Sequence, residues 1–146
     1  MDEKPRRAYL DSNVFIYGAL EECNSRLVLF LAQLGEFEVV VSRLVVEEVE
    51  KFFRENFQRE AGYLARKFVE SLSFRIVERH ETVSEMRKVR GTIKERDLEN
   101  LAVVRLEKIP YLVSYDNDYE RAHVKEYITP KSFVKLFGIK PYEMEY

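Results

Sequence analysis

AYLDSNVFIY, residues 8–17, contains a short β-rich run that stops at an acid. Arg7–Leu10 predicts a strand, and Asp11, Ser12 and Asn13 follow it directly. A carboxylate just past a strand lies at the carboxyl edge of a sheet, where open α/β proteins place their sites. Asp-Ser-Asn is also good turn and helix-capping chemistry, so Asp11 alone decides nothing. Three distant segments repeat the theme: VSRLVVEEVEKFF (41–53), KERDLENLAVV (94–104) and YLVSYDNDYERA (111–122). Each carries an acid where a strand ends or where a helix presents its apolar side.

The intervening chain alternates strand and helix patterns. Helices are predicted over residues 24–34, 44–55, 60–72, 82–89 and 96–107, with a last one opened by Pro130 and closed by Gly138. Strands are predicted over 37–41, 74–77, 111–114 and 126–128. FEVVV (37–41) is nearly all apolar, as expected of a strand covered on both faces. Alternating strands and helices imply an α/β fold with a mostly parallel sheet, as one domain over residues 1–146. Asp11 and Asp116 both follow strands and therefore share an edge of that sheet.

Helical phasing narrows the remaining acids. Leu44, Val45, Val46, Val49, Phe52, Phe53 and Phe57 form a broad apolar arc at 100° per residue. Glu48 falls inside it, whereas Glu47 points away. Asp97 opens a helix, where Asp is favoured as a cap, yet it shares a side with Leu101 and Val104. Asn100, one turn on, is placed to support it. Glu99 and Glu107 read as ordinary helix charges. Asp116 follows strand YLVS, with Ser114 two residues earlier. Asp118 is either a further ligand or the cap of a short helix through residues 120–122. Carboxylates gathered at one point repel, by roughly 4 kcal/mol for two charges ~4 Å apart at an effective dielectric of ~20. A divalent cation is the simplest compensation.

In this order and setting the segments LDSNVF, SRLVVEEV, RDLENLAV and SYDNDY resemble the PIN-domain nuclease family. YITPKSF (127–133) is similar to the family's last strand and helix start. The resemblance implies a three-layer α/β/α sandwich around a parallel sheet. It implies a metal-binding and catalytic quartet of Asp11, Glu48, Asp97 and Asp116, with Asp118 auxiliary and Asn13 and Ser114 as polar supports. It implies cleavage of RNA, often single-stranded. Many prokaryotic members are toxins of the VapC kind, held inactive by an antitoxin protein, and many form homodimers. Ser114 stands where Thr is commoner, and Tyr119 where Phe is commoner. The stretch 52–72 is long and rich in Phe, Arg and Glu; it reads equally as a clip, a dimer surface or a helical hairpin.

Oxygen-only donors suit Mg²⁺ or Mn²⁺. One ion, or two ~3.5–4 Å apart, would activate water and stabilise the leaving 3′ oxygen of a phosphodiester. No histidine is placed as a base, since His80 and His123 read as solvent-facing. No Ser-His-Asp or Cys-His set and no Gly-rich phosphate loop is present. The net charge of −2 gives no global pull on nucleic acid, so RNA contact must be local. Arg87, Lys88, Arg90, Lys94 and Arg96 crowd the approach to Asp97 and could hold phosphates, or form an ordinary charged face. Tyr17, Tyr115 and Tyr119 could stack on bases, though packing is the plainer role. Lys51, Arg54, Arg59, Arg66 and Lys67 alternate with Glu and read as a helix surface.

With 46% hydrophobic and 34% charged residues the chain has the composition of a soluble globular domain. Cys23 is its only cysteine, which excludes a disulfide framework and fits a reducing compartment. The start MDEKPRRAYLD lacks a signal-peptide core, and no stretch reaches membrane-spanning length, so a cytoplasmic protein is expected. The alternatives are a catalytically weak RNA- or protein-binding module of the same fold, a housekeeping RNA-processing nuclease, a haloacid-dehalogenase-like phosphatase, or a phosphoacceptor receiver domain. Asn13 breaks the D-x-D that the phosphatase needs, and SYDND lacks the lysine that the receiver needs.

Overall fold

The computed structural model describes residues 4–146. Five strands, β1 (Arg7–Leu10), β2 (Glu38–Ser42), β3 (Ser73–Val77), β4 (Leu112–Val113) and β5 (Tyr127–Ile128), pair in parallel in the order β3-β2-β1-β4-β5. The predicted α/β/α architecture with a parallel sheet is the one observed. Successive strand residues face opposite sides, and Val39, Val40 and Val41 are all buried. Helices therefore cover both faces. One group comprises α1 (Ser12–Leu20), α2 (Asn24–Gln33), α3 (Arg43–Asn56), α4 (Arg59–Leu72) and α8 (Pro130–Lys135). In it α1 packs on α2 and α3, α3 on α4, and α2 on α8. A second pair, α5 (Arg79–Val89) and α6 (Leu98–Leu106), packs together. No helix among the described residues is long and apolar enough to cross a membrane.

The strand order places the site. From β1 the chain builds outward through β2 and β3, then returns to the other side of β1 as β4 and β5. The order thus reverses between β1 and β4, and the adjacent crossovers diverge to leave a crevice beyond the strand ends. Asp11 and Ser114 sit at those two ends, joined by the Asp11 N–H donating to Val113 O at 3.1 Å.

Several boundaries differ from the sequence reading. No helix is predicted over the segment SNVFIYGAL, Ser12–Leu20. It forms α1 because Asp11 caps the first turn, accepting from Ser12 N at 2.8 Å. Core contact at Val14 and Phe15 then outweighs the β-branched preference. The helix expected over 96–107 starts as a 3-10 turn at Glu95–Asp97 before α6.

The 52–72 stretch is a helical hairpin. Antiparallel α3 and α4 are linked by Phe57 and Gln58; at the turn Phe53 stacks on Phe57 and meets Phe52 edge-on. Gly62 permits the close approach, because a Cβ there would lie 2.9 Å from Arg54 Cβ and 3.0 Å from Glu50 O. Glu50 pairs with Arg54 and Arg66, and Glu70 with Arg43 and Arg66. Arg54 and Arg66 are thus paired on the helix surface, while Lys51, Arg59 and Lys67 are exposed on the same two helices.

Candidate active site

Asp11, Glu48, Asp97 and Asp116 come from the end of β1, from α3, from the turn before α6 and from the end of β4. All four line one cleft of about 200 Å³, with Ser12, Asn13, Arg96 and Asn100. A larger cleft of about 470 Å³ lies by the amino ends of β4 and β5, among Val104, Lys108, Ile109 and Lys125. It holds no group of acids, so chemistry rather than size singles out the smaller one.

Asp11 is buried and held from several sides. Its Oδ2 accepts from Ser114 Oγ at 2.8 Å, and its Oδ1 from Ser12 N at 2.8 Å and Asn100 Nδ2 at 3.3 Å. Burial raises its pKa, the Ser114 and Ser12 donors oppose that, and the Asp116 charge adds to it. Ser114 is a junction: its Oγ also accepts from Asn13 Nδ2 at 3.1 Å and from Asp116 N at 3.0 Å. Asn13 Oδ1 in turn accepts from Tyr115 N at 3.2 Å. The two predicted supports therefore stitch the β1 end to the β4 end.

Asp97 differs in kind. It opens α6 but makes no side-chain cap hydrogen bond. Its Oδ2 is buried without a hydrogen-bond partner, and its Oδ1 meets only the Tyr119 hydroxyl at 3.5 Å. Burial, then the charges of Asp116 and Asp11, push its pKa up to about 6. An orphaned buried carboxylate oxygen is costly unless something fills its coordination. One oxygen each from Asp97, Asp116 and Asp118 lies within 4.8 Å of the others. This all-oxygen set with an unsatisfied member fits a hard divalent cation.

Glu48 does not lie in the core as its apolar arc suggests. It is a solvent-accessible residue at the cleft wall, because the buried side of α3 narrows to Val45, Val46 and Val49. Crowding of its carboxyl by the cleft, then the Asp11 charge, push its pKa up to about 7; Ser12 opposes the shift. Glu47 turns away and pairs with Arg79 at 2.9 Å.

Other expectations need correction. Glu99 is no ordinary surface charge. It is buried, Arg79 Nε reaches its Oε1 at 3.1 Å, and its Oε2 has no partner. Its place on α6, packed against α5, is invisible to local periodicity. Asp118 is the first residue of α7 (Asp118–Arg121) rather than its cap. Asp116 Oδ1 accepts from Asp118 N at 2.9 Å. The Asp118 carboxylate is engaged by Lys94 and by Arg121 at 3.4 Å, and the Lys94 contact holds its pKa below the usual range.

The basic segment divides in two. Lys94 and Arg96 are exposed at the acids, with Arg96 Nη2 3.7 Å from Asp116 Oδ2. Arg87, Lys88 and Arg90 are exposed at the end of α5 and beyond, where Lys88 pairs with Glu85 and Arg90 with Glu95. His80 and His123 are exposed. Tyr119 is fully buried and cannot stack on a base. The Tyr115 hydroxyl accepts from Ser25 Oγ at 2.6 Å, and its ring packs edge-on against Tyr17 with centroids 5.4 Å apart.

Solved structures share this arrangement of elements. The toxin–antitoxin complex from Klebsiella pneumoniae is 18% identical, with 84% of this chain and 97% of that one covered and a TM-score of 0.64. FitAcB from Neisseria gonorrhoeae is 20% identical, with 84% and 97% covered and a TM-score of 0.64. VapC20 from Mycobacterium tuberculosis, a sarcin-ricin-loop-cleaving toxin, is 18% identical, with 79% and 94% covered and a TM-score of 0.59. At these identities the likeness concerns the fold. No curated relative matches by sequence. The family profile of the PIN domain matches residues 8–125, a span holding all four cleft acids, and the chain belongs to the PIN-domain family.

Proposed function

We propose that the protein is a divalent-metal-dependent endoribonuclease that hydrolyses phosphodiester bonds of single-stranded RNA. The observation that carries this is the meeting of Asp11, Glu48, Asp97 and Asp116 in one cleft, with Asp97 Oδ2 lacking any partner. These acids would hold Mg²⁺ or Mn²⁺, one ion or two, with Asp118 available only once Lys94 withdraws. The bound cation would supply a nucleophile at neutral pH and charge to stabilise the leaving group.

The chain's own residues do the positioning. Ser114 and Asn100 donate to Asp11 and aim its carboxylate, and the Ser114 donor opposes the upward pKa shift that burial imposes. Asn13 and Ser114 fix the β1 and β4 ends relative to each other. Arg96 at the cleft and Lys94 beside it would take the substrate phosphates on the flank of the site, with the exposed Arg87, Lys88 and Arg90 adding weaker contacts. Hydrolysis breaks the P–O3′ bond, with water adding to phosphorus and the 3′ oxygen leaving.

The PIN-domain family and the toxin and toxin–antitoxin structures of like fold support reading it as a toxin restrained by an antitoxin protein, and a homodimer acting in the cytoplasm completes this proposal. Purified protein is expected to cut single-stranded RNA with Mg²⁺ or Mn²⁺ and to stop when chelator is in excess. Cutting that persists in chelator removes the cation from the mechanism. Asp11→Asn and Asp116→Asn are expected to abolish cutting with the fold retained; full activity in either ends the assignment.

A further inference from the structure

Behind the cleft runs a buried chain of hydroxyl and amide groups that none of the cation-ligand roles above includes. Tyr9 on β1, Ser42 at the end of β2, Asn100 on α6 and Tyr119 on α7 are all at most 2% exposed. The Tyr9 and Ser42 hydroxyls lie 3.0 Å apart, and Tyr9 also hydrogen-bonds Asn100 Oδ1. Asn100 Nδ2 donates to Asp11 Oδ1 at 3.3 Å and to the Tyr119 hydroxyl at 3.0 Å, and that hydroxyl points on to Asp97 Oδ1 at 3.5 Å.

Counting hydrogens gives the chain one direction. The Asn100 amide oxygen only accepts, so the single Tyr9 hydrogen goes to it. The Ser42 hydrogen must then go to the Tyr9 oxygen. Both Asn100 N–H groups are used, one on Asp11 and one on Tyr119, so Tyr119 is left with its own hydrogen for Asp97. The end of this sequence delivers donors to two aspartates from two different elements. The start is anchored in the scaffold, because Ser42 Oγ caps α3 by accepting from Val45 N at 3.2 Å. Burial and the neighbouring acids raise both tyrosine pKa values well above the ordinary range, so neither hydroxyl loses its proton at neutral pH.

The geometry points to Asn100, oriented by Tyr9 and relayed by Tyr119, as the positioning residue that sets the relation of Asp11 to Asp97 and thereby the cation affinity of the cleft. An amide suits this task better than a charged group. It offers two donors and one acceptor at fixed angles and adds no charge to an already crowded set of acids. Residues that orient ligands from behind are worth 10–100-fold in metal affinity. This inference rests on the cation-binding reading of the cleft.

The test is Mn²⁺ binding by titration calorimetry on the full chain, alongside thermal melts. Asn100→Ala is expected to weaken Mn²⁺ binding about 10–100-fold, and Tyr9→Phe and Tyr119→Phe each about threefold or more. Val28→Ala, a cavity in the core on α2, serves as a control that lowers Tm without changing Mn²⁺ affinity. If Asn100→Ala fails to fold, the two Tyr→Phe variants decide. Wild-type affinity in all folded relay variants, or losses that merely track Tm as in Val28→Ala, overturns the relay and leaves the nuclease reading standing. A wild-type protein that binds no Mn²⁺ overturns both.

Discussion

Ser114 Oγ donates to Asp11 Oδ2 at 2.8 Å, across the boundary between β4 and β1 where the strand order reverses. The same hydroxyl accepts from Asp116 N and Asn13 Nδ2. One small side chain thus ties together two of the four cleft acids.

Ser114→Ala removes that donor while changing little volume. Cleavage at limiting Mn²⁺ is expected to fall about 10–100-fold, with a stability loss of about 1 kcal/mol. Ser114→Thr keeps the hydroxyl and should retain most activity. Initial rates over a Mn²⁺ titration separate the two variants; equal rates would show that Asp11 needs no such support.

Asp97→Asn should separate stability from activity. In the metal-free protein Asp97 is buried among like charges, with one oxygen unpartnered. An amide there removes repulsion, so the melting temperature without metal at pH 8 is expected to rise, by about 3–5 °C for about 1 kcal/mol. RNA cleavage should be lost. A lower melting temperature would mean that the repulsion is already compensated.

Glu48 and Asp97 give the metal-free protein a predictable pH dependence. Their pKa values rise from 4.5 to about 7 and from 3.8 to about 6. The folded state therefore holds protons that the unfolded chain has released, and stability falls as pH rises through this window. The contribution is full below the unfolded values and gone above about pH 7. The urea midpoint should decline from pH 5 to pH 7.5, and saturating Mn²⁺ should flatten the decline. A midpoint that climbs over this range would contradict the assignment.

Neutralising Lys94 and Arg96 should weaken RNA binding and lower the salt slope by roughly two phosphate contacts. The same change at Arg87 and Lys88, farther from the acids, should have a smaller effect. Binding by a catalytically dead Asp11→Asn background, measured by fluorescence anisotropy across salt concentrations, compares them. An unaltered slope after Lys94 and Arg96 are neutralised would dismiss the phosphate role.

Gly62→Ala should destabilise the α3–α4 hairpin by about 1–3 kcal/mol. The added methyl would meet the Glu50 carbonyl at 3.0 Å, which is backbone and cannot swing aside. Chemical denaturation measures the loss, and a neutral result would show that the two helices can separate freely.

The parallel sheet was legible because both of its signals are local. Val39, Val40 and Val41 form an unbroken apolar run, and Asp11 and Asp116 follow strands, whatever the remainder of the chain does. Helical phasing likewise separates Glu48 from Glu47, since a 100° step needs only neighbours. It misplaces Glu48 in depth and misses α1, because side-chain composition predicts neither where a neighbouring element stops nor which cap wins.

Three features came from the tertiary structure alone. Glu99 is buried because α5 brings Arg79 over it, twenty residues away in sequence. Asp118 is occupied because the 3-10 turn sets Lys94 against it. Tyr9 and Tyr119, whose own segments give no sign of a shared role, become parts of one hydrogen-bonded chain through Asn100. The sequence determined which acids exist and on which kind of element each sits, through periodicity and turn chemistry that act over a few residues. Only folding decided which of them share a cleft and which donors stand behind them, because hydrogen bonds and charge pairs reach a few ångströms in space and take no account of distance along the chain.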